Sequence, residues 1–423
     1  MKLTINEKLL KRRIKRPSVI YPILKTIVVK PNLNKWNVTI KEKIDVNNIK
    51  PPFIVIFNHL SRFDYVFVSM ALKKHRLNFM VGYNEFYRAH LKLIFKLANS
   101  IPKKNFTSDY YALKNSKRVL ENKGVVAFSP EGMSSIAGTN QPIVIGTGKY
   151  LKNCNVPVIY VNIKGAYLMA PKYSLDERIG KVDVVVEQIF SPEELNKLSP
   201  HEIEKIINQA FTHDEYLWNK TQKVKYQAID FAKNIETYLY RCPNCLKEFQ
   251  MFGKDNLVRC QACNNAFELN AYYDLISKDA NSLVFETPSL WFSWQRNLIK
   301  KELIDNLNFK LEEEVDLGML PKYKYLNKDQ TSNIVGRGLL TLTHQGLSFE
   351  GIKDNQDYSF FIKSVDLPTY GMCTDMSRFY TFVEGEFHEF YPKTKSVAKW
   401  LLATEEIHRL NGGKWQAIKN ETT

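Results

Sequence analysis

The chain reads as an α/β protein, a sheet with covering helices, followed by a small cysteine ribbon and a β-rich C-terminal domain. Three observations predict this. Strand and helix signals alternate from residue 36 to about 190. Two CxxC pairs stand close together near residue 250, and from about residue 308 successive strand-like runs end in one amphipathic helix.

Residues 1–35 form a basic, amphipathic segment. The runs "NVTIKEKI", "FIVIF", "RLNFMVG", "GVVAFSPEG", "VPVIYVNIKG" and "KVDVVVEQIF" then read as strands. Between them, "EFYRAHLKLIFKLANS" repeats apolar residues at helical spacing, and "DYYALKNSKRVLENKG" reads as a helix with Gly124 as its C-cap. This α/β region spans 36–199. A Lys-rich helical connector covers 200–238, the cysteine ribbon 239–271, and a helical linker around "LWFSWQRNLIKKELI" covers 272–307. From 308 to 415, "FKLEEEVDLGML", "GLLTLTHQGLSFEGI", "YSFFIKSVDL" and "FYTFVEGEFHEFY" read as strands, and "TKSVAKWLLATEEIHRL" as the closing helix. Strands ending in one helix look like a PH- or GRAM-type barrel, on element order alone. No internal repeat or low-complexity tract is present.

With 423 residues, 44% of them apolar, the chain can bury two or three cores. Sixty Lys and Arg against 44 Asp and Glu give a net charge of +16, which favours anionic partners: lipid head groups, phosphorylated cofactors, acidic carrier proteins or nucleic acid. The first sixteen residues hold seven Lys or Arg and one Glu, without the long apolar core of an export signal. No apolar run reaches the roughly 18 residues of a spanning helix. Membrane contact is therefore expected to be peripheral.

Four of the six cysteines, Cys242, Cys245, Cys260 and Cys263, form two CxxC knuckles separated by 14 residues. Each knuckle can aim two thiolates at one ion, and four thiolates complete a closed tetrahedral shell, so a structural zinc is expected. The spacing is just short of the usual range of about 15 to 20 residues. Disulfides are the alternative, although they suit a chain without an export signal poorly. Cys154 and Cys373 read as ordinary small residues.

The stretch "FNHLSRFD" places His59 and Asp64 at the exit of the "FIVIF" strand. Ser61 and Asp64 match a capping box, so Asp64 could simply cap a helix. Alternatively, Asp64 holds the imidazole tautomer while His59 takes a proton from an alcohol: a triad whose nucleophile is the substrate. Some seventy residues later "FSPEGMSS" brings Glu131 and Gly132 into a turn after a strand, and "VPVIYV" follows. This ordered set resembles the four-block signature of the glycerolipid acyltransferases related to 1-acylglycerol-3-phosphate acyltransferase, over residues 36 to 190.

The resemblance implies an acyltransferase-type sheet, His59 as general base and Asp64 as its orienting partner, with Asn58, the neighbouring motif position, among the substrate-binding residues. It implies that Glu131 and Gly132 help bind the acceptor, where glycine permits close backbone approach. The implied reaction passes an acyl group directly from a thioester of coenzyme A or acyl carrier protein to the hydroxyl of a lysophospholipid or other lipid alcohol. Two departures stand out. Family members often read EGTRS, whereas "EGMSS" puts Met133 and Ser134 at the Thr and Arg positions. The second block offers Lys103 and Lys104 as substrate-binding residues where an arginine is usual; lysine can bind phosphate as a point charge but lacks the bidentate guanidinium fork. A solvated surface pair is the alternative for those two.

The basic N-terminus, with apolar residues interleaved, suits an anionic membrane surface, or equally a tail packed on the sheet. A cytoplasmic protein held peripherally on the inner face of the membrane is expected. Nucleic-acid binding through the ribbon is disfavoured, because the charge is spread along the chain and the His/Asp and PEG blocks stay unexplained. An inactive, lipid-binding scaffold of the same fold is a third reading.

Overall fold

The computed structural model describes residues 2–33 and 36–414. Residues 1, 34 and 35 of the expected N-terminal segment, and residue 415 of the expected C-terminal domain, lie outside the described residues.

The first sheet has seven strands: β1 (Asn37–Glu42), β2 (Phe53–Phe57), β3 (Leu77–Gly82), β4 (Ile101–Lys103), β5 (Val125–Phe128), β6 (Val158–Lys164) and β7 (Lys181–Phe190). Their spatial order is β1-β7-β6-β2-β5-β3-β4. Neighbours run parallel except β6 and β7, which pair antiparallel. The central strands are the unbroken apolar runs: every residue of "FIVIF" and of "VVAF" is buried, as a sheet covered on both faces requires. β4 escapes a sequence reading because it is short and carries Pro102, which a ladder tolerates only at a sheet edge, the place it occupies.

Three helical expectations are corrected. Residues 85–100 are not one helix; two 3-10 turns at Tyr83–Tyr87 and Ala89–Leu91 precede a short helix, Lys92–Leu97. The backbone at 87–89 instead pairs with Leu326: Leu326 N donates to Tyr87 O and Ala89 N to Leu326 O. The Tyr110–Glu121 helix forms, but Lys123, not Gly124, takes the left-handed conformation (φ 54°). Gly124 N donates to Val119 O and Lys123 N to Leu120 O, the paired bonds of a Schellman ending. Glycine is still required at 124, since a Cβ there would lie 2.6 Å from Val119 Cγ1. Finally, the 200–238 stretch is helical only at Pro200–Phe211, Glu215–Gln222 and a 3-10 turn. It is no free connector: Ile203, Ile207 and Phe211 are buried against the Val158, Tyr160 and Phe190 face of the sheet.

A four-stranded antiparallel sheet follows, β8 (Met251–Lys254), β9 (Leu257–Cys260), β10 (Ala266–Leu269) and β11 (Leu275–Ser277), in the order β11-β10-β9-β8. It runs past the expected boundary at 271. The helix Pro288–Asp305, capped by Thr287, leads to the C-terminal sheet.

That sheet comprises β12 (Lys310–Met319), β13 (Asn333–Thr343), β14 (Gly346–Lys353), β15 (Gln356–Lys363), β16 (Gly371–Met372), β17 (Phe379–Val383) and β18 (Glu386–Pro392), ordered β15-β14-β13-β12-β18-β17-β16 and antiparallel throughout. The closing helix Val397–Leu410 buries Trp400, Leu401 and Ile407. Arg296 on the Pro288–Asp305 helix joins it through Glu405 (2.7 Å) and Glu406 (3.2 Å). One hydrophobic core runs from the first sheet through the ribbon into this last one. No helix among the described residues is long and apolar enough to cross a membrane.

Candidate active site

β2 delivers the chain to Asn58 at the carboxyl edge of the sheet. The Asn58 side chain is fully buried: Nδ2 donates to Ile163 O (2.7 Å) and Oδ1 accepts from Ile163 N (2.8 Å), fastening the exit of β2 to β6. The expected substrate contact at Asn58 is thus replaced by a strut between strands.

The next residue, His59, turns its Nδ1 to Asp64 Oδ2 at 2.8 Å. Asp64 is 1% exposed, and its carboxylate also accepts from Ser61 N (3.0 Å) and Ser61 Oγ (3.0 Å). A carboxylate only accepts, so Nδ1 carries the proton and Nε2 is left with a free lone pair. Nε2 has no hydrogen-bond partner among the described residues, and the side chain is 30% exposed. The capping-box alternative is half realised. The helix Asp64–Ala71 starts at Asp64 itself, and Ser61 Oγ accepts from Phe63 N instead of capping the helix. A buried carboxylate in the first helical turn is favoured by the peptide dipoles while it holds the imidazole.

The PEG turn clamps this histidine from behind. Glu131, fully buried, accepts His59 N on Oε1 (2.8 Å) and Gln141 N on Oε2 (2.6 Å), and Ser135 N donates to His59 O (2.7 Å). Both Glu131 oxygens accept backbone amides, so this carboxylate positions His59 where the resemblance implied an acceptor contact. Gly132 sits at φ +78°, and a Cβ would lie 2.9 Å from the Phe106 ring, so here glycine serves the turn.

The two lysines of the second block part company. Lys104 Nζ donates to Gly385 O (2.6 Å) and lies over the Tyr83 and Phe382 rings, so its charge faces the C-terminal sheet and not an acceptor. Lys103 ends β4, its side chain without a hydrogen bond or ion pair among the described residues and its ammonium pushed below the ordinary lysine value by burial.

Two residues that the sequence gave no reason to select complete the arrangement. Arg62, inside the first block, donates to Ser174 O (3.2 Å) and Leu175 O (2.7 Å), bolting the segment after β6 to the His/Asp turn. From that segment Lys172, 7% exposed, donates to Ser134 Oγ at 2.8 Å. Arg62 lay in a quoted motif, but only tertiary structure gives its partners, and nothing in the sequence brings Lys172 to the PEG turn.

Residues 35–164, which hold β1 to β6, the His/Asp turn and the PEG turn, match the family model described as Acyltransferase. These residues are an acyltransferase domain. Among solved structures the chain is similar to PlsC from Thermotoga maritima, a 1-acyl-sn-glycerophosphate (LPA) acyltransferase, with 18% identity over 45% of this chain and 75% of that one and a TM-score of 0.39. The comparison with curated proteins gives no match.

Beyond the acyltransferase domain, Cys242, Cys245, Cys260 and Cys263 bring four sulfurs within 4.8 Å of one another, unbridged by disulfides. The two knuckles repeat one geometry. Leu246 N donates to Cys242 O and Asn264 N to Cys260 O, with Leu246 and Asn264 both at positive φ. Cys242 N donates to Lys247 O and Cys260 N to Asn265 O. The Cys242–Cys263 and Cys245–Cys260 sulfur separations are 3.6 and 3.7 Å. A tetrahedron of thiolates about 2.3 Å from one ion has edges of about 3.8 Å, so the four residues fit a single metal.

Proposed function

We propose that this chain transfers a fatty acyl group from an acyl thioester, of coenzyme A or acyl carrier protein, to the hydroxyl of a lysophospholipid or related glycerolipid. The observation that carries this reading is the His59–Asp64 pair, fixed at its backbone on both sides within an acyltransferase domain, with Nε2 free. In the proposed reaction the acceptor hydroxyl gives its proton to His59 Nε2 as its oxygen attacks the thioester carbonyl. The tetrahedral adduct collapses, the carbon–sulfur bond breaks, and the leaving thiolate takes the proton from the imidazolium. Asp64 keeps Nδ1 protonated and balances the imidazolium charge. No acyl-enzyme forms. The test is transfer of a labelled acyl group from the two donors to a panel of lysolipids and neutral lipid alcohols, with His59→Ala as control.

Around this centre we assign supporting roles. The four cysteines hold a structural zinc: a closed thiolate shell has no open position for substrate and serves to fold the ribbon. The order of β12 to β18 with its closing helix supports a PH-like domain. The N-terminal segment divides in two. Ile5, Leu9 and Ile14 are buried, as a packed tail would be, whereas Val19 (82% exposed), Ile23 and Ile27 present apolar side chains to solvent near basic residues. That exposed stretch supports docking on an anionic membrane surface, on the cytoplasmic side.

A further inference from the structure

The PEG turn lacks the arginine usual in its block, yet a cation has reached the same place from another part of the chain. Lys172 Nζ donates to the hydroxyl of Ser134, the residue standing at the arginine position. Three segments thereby close a ring: residues 59–64, residues 131–135 and residues 172–175. Glu131 and Ser135 join the first two, Arg62 joins the first and third, and Lys172 joins the third to the second.

The amine is buried without an ion pair. Among the described residues no carboxylate oxygen lies within 4.0 Å of it, and Ser134 Oγ is its one hydrogen-bond partner. The acidic groups that act on it electrostatically are Cys373 and Asp375, between β16 and β17. Asp375 is engaged with Cys373 Sγ (2.7 Å), Ser377 Oγ (2.7 Å) and Arg378 (3.9 Å). A buried ammonium left with one neutral partner is costly, and a serine hydroxyl does not offset that cost. Burial, opposed by Cys373 and Asp375, pushes the amine down to about 8, which leaves it charged at neutral pH and without an ion pair.

We infer that Lys172 binds a phosphate group of the acceptor, supplying from the segment after β6 the charge that the PEG turn lacks. The inference rests on the acyl-transfer reading above. Coenzyme A carries phosphates too, and the KM of acyl-coenzyme A in the variants below distinguishes the donor's phosphates from the acceptor's.

The experiment measures acyl transfer from acyl-coenzyme A to lysophosphatidate and to 1-acylglycerol, by wild type, Lys172→Met, Lys172→Arg and His59→Ala. Methionine keeps the length and removes the charge. The ratio of kcat/KM for lysophosphatidate to that for 1-acylglycerol should fall about 10- to 100-fold in Lys172→Met, mainly through KM, and return to within a few-fold of wild type in Lys172→Arg. An unchanged ratio overturns the inference. So does a loss carried by the KM of acyl-coenzyme A, which would place the amine on the donor, or an equal loss of kcat on both acceptors, which would place it on the oxyanion. If those results come with His59-dependent transfer by the wild type, acyl transfer stands and only Lys172 falls. A wild type inactive on both acceptors removes both readings.

Discussion

The four-cysteine cluster and the His59 site are both built where short motifs end in turns, yet they are assembled differently. The cluster is local: all four sulfurs come from two copies of one knuckle, 21 residues from first to last, each closed by its own backbone bonds. The His59 site is not local. His59, Ser135 and Lys172 come from three separate segments, and what fixes them is Glu131, Arg62 and Ser134 reaching across. A local site can be lost at one position and taken down whole. A site held by struts should lose rate in graded steps, according to which strut is removed.

The largest effect is expected where the site is local. Cys242→Ser or Cys263→Ser should lose about one zinc per chain and unfold the ribbon, since metal binding of this kind contributes on the order of 10 kcal/mol to folding. Elemental analysis of reduced protein checks it, and a wild type without zinc would break the comparison. Next comes Asp64→Asn, which exchanges an acceptor-only partner for one that can donate and so disturbs the His59 tautomer. Transfer should fall about 10²- to 10⁴-fold with the fold intact by circular dichroism.

Glu131→Gln sharpens the distinction between base and strut. Gln can accept only one of the two amides at His59 and Gln141, and one buried N–H then loses its partner, at about 1–3 kcal/mol. The loss should appear in kcat and in thermal stability together, whereas a residue that only bound acceptor would show it in KM.

A pH profile separates Lys172 from the rest. Burial depresses its amine to about 8, opposed by Cys373 and Asp375. Below that value it is cationic and above it neutral, so KM for lysophosphatidate should rise as pH passes upward through about 8. Lys172→Arg, which stays charged, should remove that rise. The smallest effect is expected at Lys104→Ala, which breaks a bond to Gly385 O and two ring contacts on the C-terminal sheet: about 1 kcal/mol in a denaturation curve, with acceptor KM unmoved.

How much was legible in the sequence follows the same division. The strands β2 and β5 were readable because buried central strands are apolar runs, β7 because its burial alternates, and the cysteine cluster because its residues are close in sequence. His59 and Asp64 were readable as a pair five residues apart. Their supports were not. Glu131 was visible as a motif position, but only the fold shows its oxygens on backbone amides, and Lys104 looked like a phosphate ligand until Gly385 was brought beside it. The 85–100 stretch shows the same limit. Its apolar spacing suited a helix, and pairing with Leu326, more than two hundred residues away, won.

The central claim, that His59 takes the proton of a lipid hydroxyl in acyl transfer, is tested most directly by the single-turnover rate from a labelled thioester to a lysolipid in wild type and His59→Ala. The account predicts measurable transfer by the wild type and a loss of at least about 10²-fold in the variant, with zinc content and thermal stability preserved. Equal rates in the two proteins would contradict it.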